Sequence, residues 1–193
     1  DKLLCKYRFR YILDYRDFTY ENYRPYKALI SSLVKKSLLT FVSSDAYRIH
    51  LPKLEKIYTS HNIQTASLQF QQENQNNKEK VCKVGQKRPI KIRFWGLLRH
   101  ENINRKIIDN LGNDARFELH YHGREQEPGI NLKHYTREND YKNVFFHGEY
   151  MPEERHIFSE DTDIIHNMYE NDVKTRSAMG NKFYDGLVFR IPQ

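Results

Sequence analysis

Two stretches of this chain set glycine beside basic and amide side chains, a combination suited to holding phosphate. The first is Gly96-Leu97-Leu98-Arg99-His100, which runs directly into a helical pattern. Glycine permits close backbone approach, a helix N-terminus favours an anion, and arginine grips a phosphate with two donors. The spacing is not GxGxxG, so a standard dinucleotide site is not expected. The second stretch comprises Asn167, Arg176 and Ser177, then Gly180-Asn181-Lys182-Phe183-Tyr184-Asp185-Gly186. Asn181 and Asp185 fall four apart on one helical face, with Lys182 beside them. An acid one turn into a helix can accept from a ribose diol, while the lysine and nearby amides hold a diphosphate. The plain alternatives are a glycine turn with a surface arginine, and a solvated helix face with an Asn–Asp pair.

Three other groupings are weaker. Asp161-Thr162-Asp163 spells a DxD metal–nucleotide signature, but Asp163 opens a strand at its amino end, away from the ligand edge. His120 and His122 share a strand face and could bind a metal, yet no third ligand is spaced to join them. Hydrogen-bonded sheet histidines are the simpler expectation. The basic stretch Arg24 to Lys36, including Lys27 and Lys35, could meet acidic lipid headgroups, the plain alternative being a solvated helix face.

The elements that must position these residues alternate. Ile90 to Gly96 reads as a strand, and Glu101 to Leu111 as a helix with Ile103, Ile107, Ile108 and Leu111 on one face, ended by Asn110 and Gly112. Arg116 to His122 and Asn143 to His147 are strands running to Gly123 and Gly148, with a helix expected over Leu132 to Asn139. Pro152-Glu153-Glu154 looks like a helical first turn. Asp163 to Asn167 is a fourth strand, and a final helix carries Met179, Phe183 and Leu187 before Pro192 stops it. Strands are expected at 11–15, 39–43 and 56–59, with a helix over Tyr26 to Leu38 whose inner face holds Leu29, Ile30, Leu33 and Val34. Such alternation predicts parallel sheets in Rossmann-like α/β units. Ligands bind at the carboxyl edge of such sheets, where both glycine-bearing stretches fall.

Residues 71–80 contain nothing to bury. They mark a linker, 71–89, between a unit over 1–70 and one over 90–193. The first unit is expected to be partial and the second to lack its C-terminal end. No apolar run approaches the roughly 20 residues that a bilayer crossing takes. Cys5 and Cys82 fit no zinc or disulfide spacing, so a reducing cytoplasm is the expected compartment. The net charge of +7 invites an anionic partner.

Taken together, the loops resemble a known family. Phe94-Trp95-Gly96-Leu97-Leu98-Arg99-His100-Glu101-Asn102-Ile103-Asn104, His120-Tyr121-His122-Gly123-Arg124, Val144 to Gly148 and Gly180 to Pro192 resemble the carboxy-terminal domain of GT-B-fold glycosyltransferases. The similarity is to the family 4-like enzymes of bacterial capsule and surface-polysaccharide synthesis. Asp14-Tyr15-Arg16-Asp17 and Phe41 to Asp45 are similar to the later part of their acceptor domain. The resemblance implies transfer of a sugar from a nucleotide diphosphate sugar to a glycan or lipid-linked acceptor, with retention and without a metal or other cofactor. It implies that Gly96, Arg99, Ser177, Asn181, Lys182 and Asp185 bind the donor. Arg99 and Lys182 would stabilise the leaving group, and Asp185 would hold the ribose. Arg16 and Asp17 stand where relatives carry an acceptor-facing His-Asp pair.

One departure is plain. Ser177 occupies the place of the first glutamate of the family's Glu-x7-Glu motif, and Asp185 shortens the second by a methylene. The alternative is therefore a non-catalytic α/β nucleotide-binding or interaction module. Nucleic acid is not an expected partner, because the basic residues form no stripe with aromatic stacking positions. Contact with an anionic membrane, at its cytoplasmic face, fits the charge.

Overall fold

The computed structural model describes residues 6–61, 88–172, 175–176 and 180–193. Most of the expected linker 71–89 lies outside the described residues, as do Ser177 and Met179. The chain divides into two compact units. One comprises 6–61 with the described part of 171–180, the other 88–170 with 181–193. Both are α/β with wholly parallel sheets, as the alternation predicts.

The first unit runs β1 (Ile12–Tyr15), α1 (Arg24–Lys36), β2 (Leu39–Val42), a 3-10 turn (Asp45–His50) and β3 (Ile57–Thr59). Its strands lie in the order β1-β2-β3. Pro25 opens α1, where its missing amide costs nothing. Ile30 and Val34, one turn apart, pack among Tyr15, Phe18, Val42 and Tyr47. Leu29, expected on that inner face, is exposed. It lies a full 100° step from Ile30, outside the narrow stripe that faces the core.

The second unit runs β4 (Ile90–Trp95), α2 (Glu101–Leu111), β5 (Phe117–His122), α3 (Glu127–Glu138), β6 (Val144–Gly148), α4 (Arg155–Ser159), β7 (Ile164–Ile165) and α5 (Asn181–Phe189). Helix α3 starts five residues earlier than expected because Pro128 serves its first turn. Pro152–Glu154 form a 3-10 turn that leads into α4. The strand order is β6-β5-β4-β7. The chain therefore steps outward from β4 twice, then returns to the other side of β4.

Side chains alternate between the two faces of this sheet. One face sets Phe94, Leu119, Tyr121 and Val144 against Ile108 of α2 and Leu132 of α3. The other carries Arg93, Trp95, His120, His122 and His147, with Trp95 and Ile165 packed on Phe158 and Ile191. Helix α5 departs from its expected apolar face. Lys182, Asp185 and Gly186 are buried while Leu187 is exposed. Trp95 and Arg155 give the Asp185 carboxylate internal partners, so that turn faces inward. Among the described residues no helix is long and apolar enough to cross a membrane.

Candidate functional site

The switch in strand order puts a crevice at the carboxyl ends of β4 and β7, where their following loops diverge. Gly96 ends β4 with φ +126°, a conformation that side-chain-bearing residues rarely adopt. Gly123 ends β5 at φ +146°, and a Cβ there would sit 1.7 Å from the Gly96 carbonyl oxygen. The two loops thus touch backbone to backbone. The Gly96 amide donates to the His122 carbonyl at 3.0 Å, and the Gly123 amide to the Gly148 carbonyl at 2.7 Å. Buried Leu98 pins the next step, its amide donating to Arg124. Arg99 then stands exposed, with no side-chain partner among the described residues. His100, at φ 58°, caps α2 without a side-chain bond, so the first amides of that helix are not taken by a cap.

Lys182 enters this crevice from the first turn of α5. Its ammonium lies 4.1 Å from the centre of the Phe94 ring and 5.0 Å from that of Tyr169. It would be 3.8 Å from a Cβ on Gly96, so it stands directly beside the β4 turn. Burial pushes its pKa down to about 8, against the upward pull of Asp185. A buried cation held by ring faces rather than by a bidentate acid is poised for an incoming anion. Asp185 itself accepts from the Trp95 indole at 2.8 Å and lies 3.5 Å from Arg155 Nη1. Burial raises its pKa, opposed by the Trp95 bond and by Arg155. Asn181 is exposed at the start of α5.

Behind the loop lies a network that sequence reasoning did not find. Asn104 is 1% exposed. Its amide donates to the carbonyls of Arg99, at 3.0 Å, and His100, at 2.9 Å. Its oxygen faces His166 Nε2 at 2.9 Å, and the Met168 amide donates to His166 Nδ1 at 3.2 Å. An accepting Nδ1 assigns the proton to Nε2, so the imidazole is neutral. Burial, with the charge of Lys182, pushes its pKa down to about 4. One side chain therefore ties the end of β7 to the turn that carries Arg99. The bond between Asn104 and His166 joins residues 62 positions apart, and only the polar residue at a strand end hinted at it.

Arg16 and Asp17 belong to the first unit, after β1. Arg16 pairs with Asp14 at 2.6 Å and donates to the Ser60 carbonyl at 2.9 Å, while Ser43 Oγ donates to the Arg16 carbonyl. The three strands' following residues are thereby gathered at one sheet edge, with Asp17 exposed beside them. Gly96, Arg99, Asn181, Lys182 and Asp185 all sit at the carboxyl edge of the second sheet. Ser177 lies outside the described residues.

The weaker groupings have structural partners. Asp163 receives both Arg88 guanidinium nitrogens at 2.7 Å and the Lys91 amide at 2.9 Å, before β7 begins. His120 Nδ1 lies 2.9 Å from His147 Nε2, and His122 Nε2 lies 3.0 Å from Arg93. These are hydrogen-bonded sheet histidines, as expected. Among the described residues no group of three or more His, Cys, Asp or Glu is disposed to hold a metal ion.

No protein-family model and no curated protein matches the chain. Among solved structures the chain is similar to Anabaena HepE, crystallised in complex with UDP and glucose. The TM-score is 0.53 at 14% sequence identity, over 81% of this chain and 46% of HepE. The chain thus spans about half the length of that protein. The likeness is one of fold, and it agrees with the parallel, Rossmann-like α/β architecture described above.

Proposed function

We propose that this chain carries the nucleotide-sugar site of a GT-B glycosyltransferase. The reading rests chiefly on the buried Lys182 ammonium beside the Gly96 turn, one loop from the uncommitted Arg99. A HepE structure holding UDP and glucose lends support from a protein of like fold. As the bond to the transferred sugar breaks, negative charge gathers on the departing diphosphate. Cations already in place stabilise that charge without reorganising. Arg99 supplies a two-donor fork from the solvent side, Lys182 a point charge from beneath, and Gly96 the room for close approach. Asn181 and the amides at the start of α5 add donors. Asn104 and His166 hold the Arg99 turn from behind.

On this reading the side chains carry the charge without a metal, and anomeric configuration is retained. The acceptor is a glycan or lipid-linked glycan of surface-polysaccharide synthesis at the cytoplasmic membrane face. It is met by the first unit around Arg16 and Asp17. The units take the boundaries 1–70 and 90–193, with 71–89 between them.

Thermal denaturation with UDP or GDP tests the reading. One of the two should raise the melting temperature, and Arg99→Ala should abolish that shift while leaving the unliganded melting point unchanged. No shift with any nucleotide, together with tight, salt-sensitive binding of DNA or RNA, would sink it. A nucleotide shift without transfer of labelled sugar would mark the binding-module alternative. Affinity should also depend on pH. A diphosphate selects the protonated lysine, whose pKa in the free protein is about 8. Above that pH binding takes up a proton, and Kd should rise about tenfold per pH unit. Lys182→Met should remove this slope along with the tight binding.

A further inference from the structure

We infer that Asp185 is a positioning residue for Lys182, fixing its place beside Gly96 and sustaining its charge, rather than a ligand of the ribose. The inference rests on the nucleotide-sugar reading given above. The family resemblance implies a ribose-holding role for Asp185, and a carboxylate in that role must face the ligand. Here Asp185 is 3% exposed. Its Oδ2 accepts from the Trp95 indole at 2.8 Å and lies 3.5 Å from Arg155 Nη1. A diol reaching that oxygen would have to displace an indole or a guanidinium, both of them buried.

What the carboxylate holds is the helix. Trp95 is the last residue of β4 and immediately precedes Gly96. Its ring packs on Phe158 at 5.4 Å and belongs to a cluster with Ile165 and Ile191, so the donor is itself fixed. Lys182 stands three positions before Asp185, on the same buried face of α5. One hydrogen bond therefore joins helix to strand end, and the lysine one turn back comes to lie beside the Gly96 turn. The second contribution is electrostatic. Burial, and then the charge of Arg155, press the Lys182 pKa down to about 8, while Asp185 opposes both. Asp185 is itself raised by burial and held down by Trp95, Arg155 and Lys182. The other titratable groups facing the pair are Tyr150 beside Arg155, Tyr169 beside Lys182 and His166 at the end of β7. Burial raises the pKa of both tyrosines, and with the charge of Lys182 lowers that of His166 to about 4, so all three are neutral near pH 7. The negative charge acting on Lys182 is that of Asp185.

The test is calorimetric binding of UDP or GDP, and separately of inorganic diphosphate, to the whole chain across the pH range of the lysine titration. Asp185→Asn keeps an acceptor for Trp95 and removes the charge, whereas Asp185→Ala removes both. Melting temperatures check that each variant folds. At about pH 6, where the lysine is protonated, Asp185→Asn should bind at least as tightly as the unaltered chain. At the higher pH where that lysine half-titrates, Kd should rise about fivefold for a one-unit fall in its midpoint. Nucleotide and diphosphate should weaken by the same factor. Asp185→Ala should weaken both at the lower pH also, by up to about tenfold, a loss that asparagine restores. A loss confined to the nucleotide would mark a ribose contact and overturn the inference. So would an unmoved pH profile, or equal weakening at every pH, in Asp185→Asn. If the unaltered chain binds neither anion, the nucleotide-sugar reading fails, and the lysine is then followed without ligand. In protein labelled with 13C at lysine Cε, the resonance missing from Lys182→Met should titrate at lower pH in Asp185→Asn, and an unmoved midpoint would overturn the inference on its own.

Discussion

The two faces of the second sheet are stabilised by different chemistry. Beneath α2 and α3 the contacts are hydrocarbon, with Ile108 and Leu132 closing over Phe94, Leu119 and Tyr121. On the opposite face, His122 stacks between His147 at 4.2 Å and Phe158 at 4.4 Å. His120 stacks on Phe145 at 5.0 Å, and Arg93 is 5% exposed with its Nε unpartnered. A strand covered on both sides usually reads as a continuous apolar run. Here strands β4 and β5 alternate apolar and polar residues and still bury both sets. Burial on the second face depends on hydrogen bonds and ring stacking, and those depend on protonation state.

The largest expected effect lies on the hydrocarbon face. Leu132→Ala removes a fully buried side chain and should cost roughly 2–5 kcal/mol by urea denaturation. A loss no greater than that of a surface leucine would erase the contrast between faces. The next effect belongs to the histidine face. Burial, with the charges of His147 and Arg93, pushes the His122 pKa down to about 3. The unfolded chain therefore binds the proton first, at about 6.5. Stability is full above that pH and falls as the solution is acidified towards 3. Between pH 7 and 5 His122 should cost about 2 kcal/mol, and the lowered His120 and His147 act in the same direction. His122→Gln, which still offers Arg93 an acceptor, should flatten the melting-temperature profile below pH 6.5. An unchanged profile would place the acid sensitivity elsewhere. The smallest effect tests the rim of the hydrocarbon face. Tyr135→Phe removes one of two tyrosine hydroxyls that donate to Asp109, and should cost less than about 1 kcal/mol.

The strand–glycine endings at Gly96, Gly123 and Gly148 were legible because a positive-φ residue after an apolar run leaves a mark in the sequence. Alternation of strands and helices gave the α/β class for the same reason. The inward turn of α5 was not legible. Apolar periodicity favoured Phe183 and Leu187, whereas Asp185 and Lys182 are buried through partners at Trp95, Arg155 and Phe94. Lys182 and Arg99 could be singled out by residue type and loop position. Asn104 and His166 could not, since 62 positions separate them and only the fold brings them to 2.9 Å.

The backbone contact between the Gly96 and Gly123 turns bears on how a ligand would be received. Two loops in carbonyl-to-α-carbon contact cannot shift independently, and the Leu98–Glu125 bridge continues the coupling one step further. The floor of the crevice is therefore set before any ligand arrives. Little loop-ordering entropy remains to be lost on binding, so affinity there should be governed by the charges facing the ligand. Gly123 cannot acquire a side chain while the Gly96 turn keeps its place, and Gly96 is held to glycine by its own φ of +126°. In evolution Gly123 should persist for as long as the Gly96 turn keeps this course.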